Sequence, residues 1–250
     1  MINLKTTREL RYMRDAGKIS QEALLKAGEA VRPGVSTLEL DKIVRRTIEK
    51  AGAVPSFLGY GGFPASACIS VNNVVIHGIP SAHEILKEGD IVSIDVGAIY
   101  EGFNGDNAWT FPCGKVSEEA QKLMDATRES LFLAIEKAVP GNRIGDIGSA
   151  VQKYVEARNY SVVREFVGHG VGAKLHEDPS VPNYGTPGRG VRLLPGMTIA
   201  IEPMVTQGSC EVKILKDGWT TVTKYGKLAA HFEHSIAITP DGPVILTSLD

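Results

Sequence analysis

The sequence predicts an α+β fold of two halves related by a pseudo-twofold axis, with antiparallel sheet in the centre and helices on the flanks. Two observations support this. Segments typical of helices and of strands alternate twice along the 250 residues. Three short motifs of the first half also recur, in the same order, in the second half. Because no linker or low-complexity stretch separates the halves, we expect a single domain, 1–250, with repeats over about 1–112 and 113–250.

In the first half, two predicted helices precede a run of strands. The pattern Thr6-x-x-Glu9 is typical of a capping box and predicts a helix that ends near Ala30. A second helix is predicted over 36–52, where it ends at a glycine. Strands and turns follow from about 53 to 113, and the alternating residues around a turn near Tyr100–Gly105 indicate a β-hairpin.

The second half repeats this order, with helices predicted at about 117–138 and 145–158 and strands from there to the end. The matching motifs are Pro33-Gly34 with Pro140-Gly141 and 86–97 with 193–204, both at an offset of 107 residues, and His-x-x-Pro-Ser at 77–81 with 176–180, at an offset of 99. The second of these pairs aligns Asp95 with Glu202. Chance would explain one such match more readily than three in order.

Composition excludes several functional classes. Hydrophobic residues make up 43% of the chain and charged residues 22%, as in ordinary globular proteins. The net charge is −2 and basic residues are dispersed, so we expect no nucleic acid or membrane partner. The sequence has no signal-peptide core and only three widely spaced cysteines, which argues against a disulfide framework. We therefore expect a cytoplasmic protein with reduced thiols.

Acidic residues stand within apolar strand segments in both halves. If the hairpin pairs about the centre of its turn, Asp95 lies directly opposite Asp106, although like charges facing each other across strands are destabilising. In the second half, Glu202 ends one predicted strand and Glu233 lies on another. A single aspartate in a hairpin is more often a turn or surface residue, but four carboxylates in repeated positions have no simple structural use.

Four ionised carboxylates brought together inside a protein need compensation. They could be protonated or paired with basic side chains, but few basic residues lie at the required positions. Two divalent cations would balance the charge and could together activate a water molecule. His169 is the best candidate for an added imidazole ligand because Gly168 and Gly170 permit close approach of the backbone. Oxygen ligands with an imidazole suit Mn, Fe, Co or Zn.

Six segments carry a resemblance to a known family. They are "VNNVVIHGIP", "DVGAIYEGFNGD", "GHGVG", "HEDPSVPNYG", "MTIAIEPM" and "HFEHSIAIT". In order and spacing they resemble the type I methionine aminopeptidases in their short bacterial form, over nearly the whole chain. The resemblance implies the pita-bread fold and a catalytic domain that removes the initiator methionine from nascent proteins and peptides when the second residue is small. It also implies a cytoplasmic monomer that associates transiently with the ribosome.

The resemblance further implies roles for individual residues. Two divalent ions (Co, Mn, Fe or Zn) would be held by Asp95, Asp106, His169, Glu202 and Glu233. Asp106 and Glu233 would bridge them, and a hydroxide between the ions would attack the Met–X carbonyl. Glu202 would carry the proton, His176 would stabilise the oxyanion, and His77 would contact the substrate. His176 would also contact the substrate. The methionine pocket would comprise Tyr60, Cys68, His77 and Trp219, together with Phe57, Phe63 and Leu175, for which core packing is the alternative.

The sequence departs from the family pattern at two positions, and other functions stay open. Asn107 stands where a hydroxyl residue is commoner, and His231 where Gln is usual. One alternative is an X-Pro dipeptidase or aminopeptidase of the same fold. Another is a non-catalytic binding protein that kept the scaffold. A metal-independent hydrolase is disfavoured because no Gly-x-Ser-x-Gly motif is present.

Overall fold

The structure, a computed structural model, describes residues 1–249 and contains four α-helices, one short 3₁₀-helix (Tyr60–Gly62) and fifteen strands within them. The helices are α1 (Thr7–Glu29), α2 (Thr37–Lys50), α3 (Glu118–Ile135) and α4 (Ile144–Glu156). The first five strands are β1 (Val54–Pro55), β2 (Ala67–Val71), β3 (Val74–Ile76), β4 (Ile91–Tyr100) and β5 (Phe103–Pro112). The others are β6 (Tyr160–Val162), β7 (Gly168–Gly170), β8 (Glu177–Val181), β9 (Thr198–Ile201), β10 (Met204–Gln207), β11 (Val212–Ile214), β12 (Thr221–Thr223), β13 (Ala229–His231), β14 (Glu233–Thr239) and β15 (Gly242–Ile245).

Helices α1, α2 and α3 begin where the sequence predicts, because the side chain before each one accepts a hydrogen bond from a free N–H group of its first turn. Before α1, the Thr6 N–H donates to the Glu9 carboxylate at 2.7 Å and the Glu9 N–H donates to Thr6 Oγ1 at 3.3 Å, which confirms the predicted capping box. Ser36 and Glu39 make the same reciprocal pair before α2. None of the helices in residues 1–249 is long and apolar enough to cross a membrane.

The strands form one large sheet and two small ones, and every strand pair among the described residues is antiparallel. The nine-stranded sheet has the order β1-β4-β5-β14-β9-β7-β8, with β2 on β4 and β15 on β14. The small sheets are β13-β10-β6 and β11-β12-β3. Strands of both halves therefore meet in the middle of the large sheet, where β5 pairs with β14.

Helices from each half pack on the strands of that half and bury two apolar clusters. Helix α1 crosses β4 and β5, and α3 packs on β9, β13 and β14. The α1 crossing is close, because a Cβ atom on Gly105 would come within 2.4 Å of the Gly17 backbone nitrogen. Trp109 packs against the apolar clusters of both halves and so joins them.

Local hydrogen bonds repeat at the offset of 107 residues found in the sequence. The Gly34 N–H donates to the Leu86 carbonyl at 2.8 Å, and the Gly141 N–H donates to the Leu193 carbonyl at 3.1 Å. Both glycines have positive φ, 91° and 93°, a conformation that glycine adopts without steric cost. The boundary of the repeat at about residue 112 stays a prediction.

The predicted register of the hairpin β4–β5 is wrong by two residues. Its turn consists of Glu101 and Gly102, with φ of 49° and 79°, as a two-residue turn of type I′ requires. Asp95 therefore pairs with Ala108, and Asp106 pairs with Gly97, so the two aspartates are not directly opposite. Because a shift of two residues preserves the face of a strand, both carboxylates still lie on the same side of the sheet.

Candidate metal centre and substrate pocket

Pairing of the central strands places acidic side chains side by side on one face of the large sheet. Ala108 on β5 pairs with Asp95 on β4 and, on its other side, with Glu233 on β14. Between β14 and β9, His234 pairs with Ile201, so Glu202, one residue further, continues the same row opposite Glu233. Directly paired residues share a face, and the small Ala108 side chain at the centre of the row leaves room between the carboxylates.

Asp106 and His169 complete the cluster. Asp106 lies two residues before Ala108 and therefore on the same face of β5. His169 lies on β7, with its Nε2 atom 3.7 Å from Asp106 Oδ2 and 3.4 Å from Glu202 Oε1. Its Nδ1–H donates to the Gly170 carbonyl at 2.8 Å. With its proton on Nδ1, the neutral imidazole has a lone pair on Nε2, which is directed at the carboxylates. This is the tautomer that a metal ligand requires.

Burial makes the cluster electrostatically unfavourable by itself. It raises the pKa of Asp106 to about 7. Burial, and then repulsion from neighbouring carboxylates, raises the pKa values of Asp95, Glu202 and Glu233 well above their ordinary range. Burial also lowers the pKa of His169 to about 4, with a smaller contribution from His176, so its imidazole is neutral. The carboxylates therefore lack a protein counter-charge.

Unpaired polar atoms show that a cation fits this cluster. Asp95 Oδ1, Asp106 Oδ1 and Glu233 Oε1 are buried without a hydrogen-bond partner, which is uncommon for buried polar groups. Ligand atoms of Asp106, His169 and Glu233 lie within 4.8 Å of one another. A divalent cation would balance the charge and use these lone pairs, and carboxylates with an imidazole suit Mn, Fe, Co or Zn. The residues present thus fit a metal centre.

A pocket opens above the carboxylates, and all thirteen residues predicted from the sequence line it. They are Phe57, Tyr60, Phe63, Cys68, His77, Asp95, Asp106, His169, Leu175, His176, Glu202, Trp219 and Glu233. The cavity of about 180 Å³ is smaller than the roughly 300–1,000 Å³ of pockets for drug-sized ligands. It therefore suits one amino-acid side chain and the bond beside it. Their placement is observed, and their individual roles stay predictions.

Two further histidines lie at the wall and mouth of the pocket. The Tyr60 hydroxyl lies 2.7 Å from His176 Nδ1, and the His176 ring centre lies 4.2 Å from that of His169. His77 has an unusual φ of 57° and contacts Trp219 edge to face, with ring centres 6.2 Å apart. Both imidazoles are thus held near the carboxylates.

The far side of the pocket is apolar. Phe57, Phe63, Cys68 and Leu175 belong to one buried cluster against which Trp219 packs. Core packing was the alternative role for the two phenylalanines and Leu175. These residues both pack in the core and line the pocket. Burial, followed by nearby carboxylates, raises the pKa of the Cys68 thiol well above its ordinary value, so its sulfur is neutral and polarizable.

Sequence reasoning missed Ile76, Phe166 and Val167, which also line the pocket, because apolar residues at strand ends carry no chemical signal.

The two departures from the family pattern, Asn107 and His231, lie in different surroundings. The Asn107 side chain lies on the opposite face of β5 and donates to Gln21 Oε1 of α1 at 2.6 Å, away from the metal centre. His231 lies in the carboxylate cluster, with ligand atoms of Glu202 and Glu233 within 4.8 Å.

Carboxylates and imidazoles suited to a cation, facing a small pocket, are the arrangement of a metal-dependent hydrolase. The sequence pattern of metallopeptidase family M24 matches residues 11–240. The chain belongs to this family. A methionine aminopeptidase of Clostridium perfringens is 59% identical over 247 residues, covering 99% of each chain, and methionine aminopeptidase 1 of Bacillus subtilis is 54% identical with the same coverage.

Solved structures agree with the fold and with the predicted resemblance. The crystal structure of a methionine aminopeptidase from Thermotoga maritima is 47% identical and superposes with a TM-score of 0.98, over 99% of this chain and 100% of that one. The predicted pita-bread α+β fold is therefore confirmed. A prolidase from Pyrococcus furiosus is 24% identical with a TM-score of 0.79, over 99% of this chain and 66% of the prolidase, which shows a shared fold alone.

Proposed function

We propose that this protein removes N-terminal methionine from nascent proteins and peptides whose second residue is small. The cluster of Asp95, Asp106, His169, Glu202 and Glu233 would hold two divalent ions, Co, Mn, Fe or Zn. The observation that carries the proposal is the apolar, sulfur-containing pocket of one-residue size directly beside these carboxylates. The relatives named methionine aminopeptidase, 54–59% identical over nearly the whole chain, support the same substrate.

Metal ions bound there would supply a water that loses its proton near neutral pH and would polarise the substrate carbonyl. Glu202 is the group of this chain suited to proton transfer. It follows the end of β9, its side chain is 12% exposed, and it lines the pocket, so its carboxylate can accept a proton from water held there. From this position it delivers the proton to the leaving amine.

His176 and Tyr60 form a hydrogen-bonding unit at the substrate. If the Tyr60 hydroxyl donates to His176 Nδ1, the proton of the neutral imidazole resides on Nε2. That N–H can then donate to the carbonyl oxygen as negative charge develops on it. His77, held against Trp219 and Phe166, contacts the substrate from the other wall of the pocket.

The apolar wall selects the side chain to be removed. Phe57, Phe63 and Leu175 form one buried apolar cluster with Cys68, and Trp219 packs against it. An unbranched thioether fills such a site well because it is flexible and polarizable. We further propose that the protein works as a cytoplasmic monomer, as a single catalytic domain, on nascent polypeptide N-termini and in transient association with the ribosome.

Peptide hydrolysis tests the proposal. Purified protein would be stripped with a chelator, reconstituted with Co²⁺ or Mn²⁺, and assayed with Met-Ala-Ser and with an Ala-Pro peptide. We expect kcat/KM to favour the methionyl peptide by at least about 100-fold, equivalent to roughly 2.7 kcal/mol in transition-state binding. We also expect Asp106→Asn to lower activity by at least about 100-fold while the fold persists. Asp15→Asn, an exposed change on α1, should have no effect.

A higher kcat/KM for the Ala-Pro peptide than for Met-Ala-Ser would show that the protein is an X-Pro peptidase. Binding of methionyl peptides by the metal-loaded protein without release of methionine would establish the non-catalytic alternative. Full activity of Asp106→Asn would show that the Asp106 carboxylate is not a ligand of the metal centre.

A further inference from the structure

We infer that His231 is an additional ligand of the metal centre and supplies a second imidazole beside Glu202 and Glu233. The inference rests on the metal centre of the proposed function. It goes beyond the five ligands expected from the sequence, among which His169 is the single imidazole.

The backbone of His231 is held firmly at the edge of the cluster. On β13, His231 pairs with Met204 of β10. Its N–H donates to Thr110 Oγ1 at 3.0 Å, and the Thr110 hydroxyl donates to the His231 carbonyl at 2.8 Å. These bonds to β5 fix the position of a side chain that is 2% exposed.

The His231 Nε2 atom has no hydrogen-bond partner although it is buried. It lies 3.9 Å from Glu202 Oε2 and 3.8 Å from Glu233 Oε2, too far for hydrogen bonds. Two ligands held at about 2.1 Å by one ion lie roughly 3.0–4.2 Å apart, depending on the coordination angle. The spacing therefore matches atoms that share an ion.

A purely structural histidine does not explain this arrangement. A buried polar atom without a partner costs about 1–3 kcal/mol, so a packing histidine normally finds one. His234, three residues along the chain, behaves in that way because its Nδ1 atom bonds to Thr247 Oγ1 at 2.9 Å. Unlike His234, His231 keeps an unpaired buried nitrogen that lies within 4 Å of two carboxylates.

An added imidazole would change metal preference. Asp106, His169 and Glu233 form one group of potential ligands, and Glu202, His231 and Glu233 form a second, so each group contains one imidazole. Nitrogen ligands favour Co, Zn and Fe over ions that prefer oxygen, such as Mn and Mg. His231 should therefore strengthen the binding of Co²⁺ or Zn²⁺ more than that of Mn²⁺.

Metal titration of His231→Gln tests the inference. Chelator-stripped wild type and variant would be titrated with Co²⁺, Zn²⁺ and Mn²⁺ by calorimetry, with the exposed His83→Gln as the matched control. For His231→Gln we expect about 10–100-fold weaker binding of one equivalent of Co²⁺ or Zn²⁺, a smaller loss for Mn²⁺ and an altered visible spectrum of the Co²⁺ form. His83→Gln should match wild type in all three titrations.

Imidazole ¹⁵N NMR of the wild type provides a readout that needs no variant to fold. Addition of Zn²⁺ should shift the Nε2 signal of His231 as well as that of His169. An unshifted His231 signal, or unchanged Co²⁺ and Zn²⁺ affinities in a folded His231→Gln variant, would overturn the inference and leave the proposed function standing. A wild-type protein that binds none of these ions would overturn both.

Discussion

His169 and His176 are neighbours whose hydrogen bonds suit them to different tasks. Their ring centres lie 4.2 Å apart. The Nδ1–H of His169 donates to the Gly170 carbonyl, which leaves a lone pair directed at the carboxylates. Nδ1 of His176 instead faces the Tyr60 hydroxyl and can accept a hydrogen bond from it, which leaves the N–H on Nε2 for the substrate. One histidine is thus prepared to bind a metal and the other to donate a hydrogen bond.

This difference predicts separate effects of removing each ring. His176→Ala should lower kcat by about 10²–10³-fold, the usual effect of losing a donor to an oxyanion, and leave the metal content unchanged. His169→Ala should lose metal. Elemental analysis beside single-turnover kinetics distinguishes the two. Loss of metal from His176→Ala would reassign that side chain as a ligand.

For single residues, the chemistry of a side chain was easier to predict from the sequence than its position in the fold. Carboxylates and histidines in apolar strands stand out in any sequence because their burial is costly. Phe166 and Val167 resemble hundreds of other apolar residues, and only the folded chain brings them to the pocket. His231 and Asn107 were equally noticeable as departures, yet the face of each strand decides that His231 enters the carboxylate cluster and Asn107 packs on α1.

At the scale of elements, the hairpin shows which information is local. Alternation along β4 and β5 was enough to predict that Asp95 and Asp106 share a face. The register depends on the turn, where Glu101 adopts a positive φ that its side chain gives no reason to expect. The predicted pairing was therefore wrong by two residues, while the predicted convergence of the carboxylates was correct.

Asp41 joins helix α2 to the strand that carries Cys68. Its buried carboxylate accepts hydrogen bonds from the N–H groups of Ser66 at 2.8 Å and Ala67 at 2.9 Å. Asp41→Ala would leave both buried N–H groups unpaired, and we expect a loss of about 2–5 kcal/mol in the free energy of unfolding. Asp41→Asn keeps one acceptor oxygen and should cost about half as much or less.

Denaturant unfolding of these variants measures the effect, with exposed Lys42→Ala as the control expected within about 0.5 kcal/mol of wild type. If the carboxylate also positions Cys68, Asp41→Asn should raise KM for a methionyl peptide more than it lowers kcat. Equal stabilities for the Ala and Asn variants would show that the two hydrogen bonds contribute nothing.

A buried ion pair ties the N-terminal segment to β8, beside His176. Lys5 Nζ lies 2.6 Å from Glu177 Oε2, and the two side chains are only 5% and 8% exposed. Lys5→Met leaves the Glu177 carboxylate buried without its partner, which should cost about 3–5 kcal/mol of stability in thermal or denaturant unfolding. Lys26→Met, which breaks an exposed pair with Glu22 on α1, should cost about 0.5 kcal/mol or less. Equal losses for the two variants would contradict this account.

In the molecule as a whole, the carboxylate cluster exists because two similar halves place acidic side chains at the junction of their strands. Each half supplies two acidic side chains, and β5 and β14 bring them together in one sheet. The repeated motifs made this symmetry visible in the sequence, down to the glycines with φ of 91° and 93°. The order of the nine strands was not visible, because it depends on long-range pairing that no local pattern encodes.

The stability of the metal-free protein should depend on pH. In the folded state, the pKa of Asp106 is raised to about 7 and those of Asp95, Glu202 and Glu233 lie well above their ordinary values. The unfolded chain releases these protons near pH 4. Between the two pKa values the folded state binds more protons, so stability falls as pH rises. Buried histidines, whose pKa values are lowered, oppose this only below about pH 6.5.

The metal-free protein should therefore lose stability as the pH rises from about 6.5 to 8, and bound metal should remove the loss because cations replace the missing protons. Thermal unfolding with and without a chelator measures both curves. In the metal-free state at pH 8, Asp106→Asn should be more stable than wild type, since it removes one buried, unpaired charge. With metal present, the same substitution should be destabilising because it removes a ligand. If the metal-free Asp106→Asn variant were less stable than wild type at pH 8, repulsion among these carboxylates would not be destabilising. Bound cations would then not stabilise the protein by relieving that repulsion.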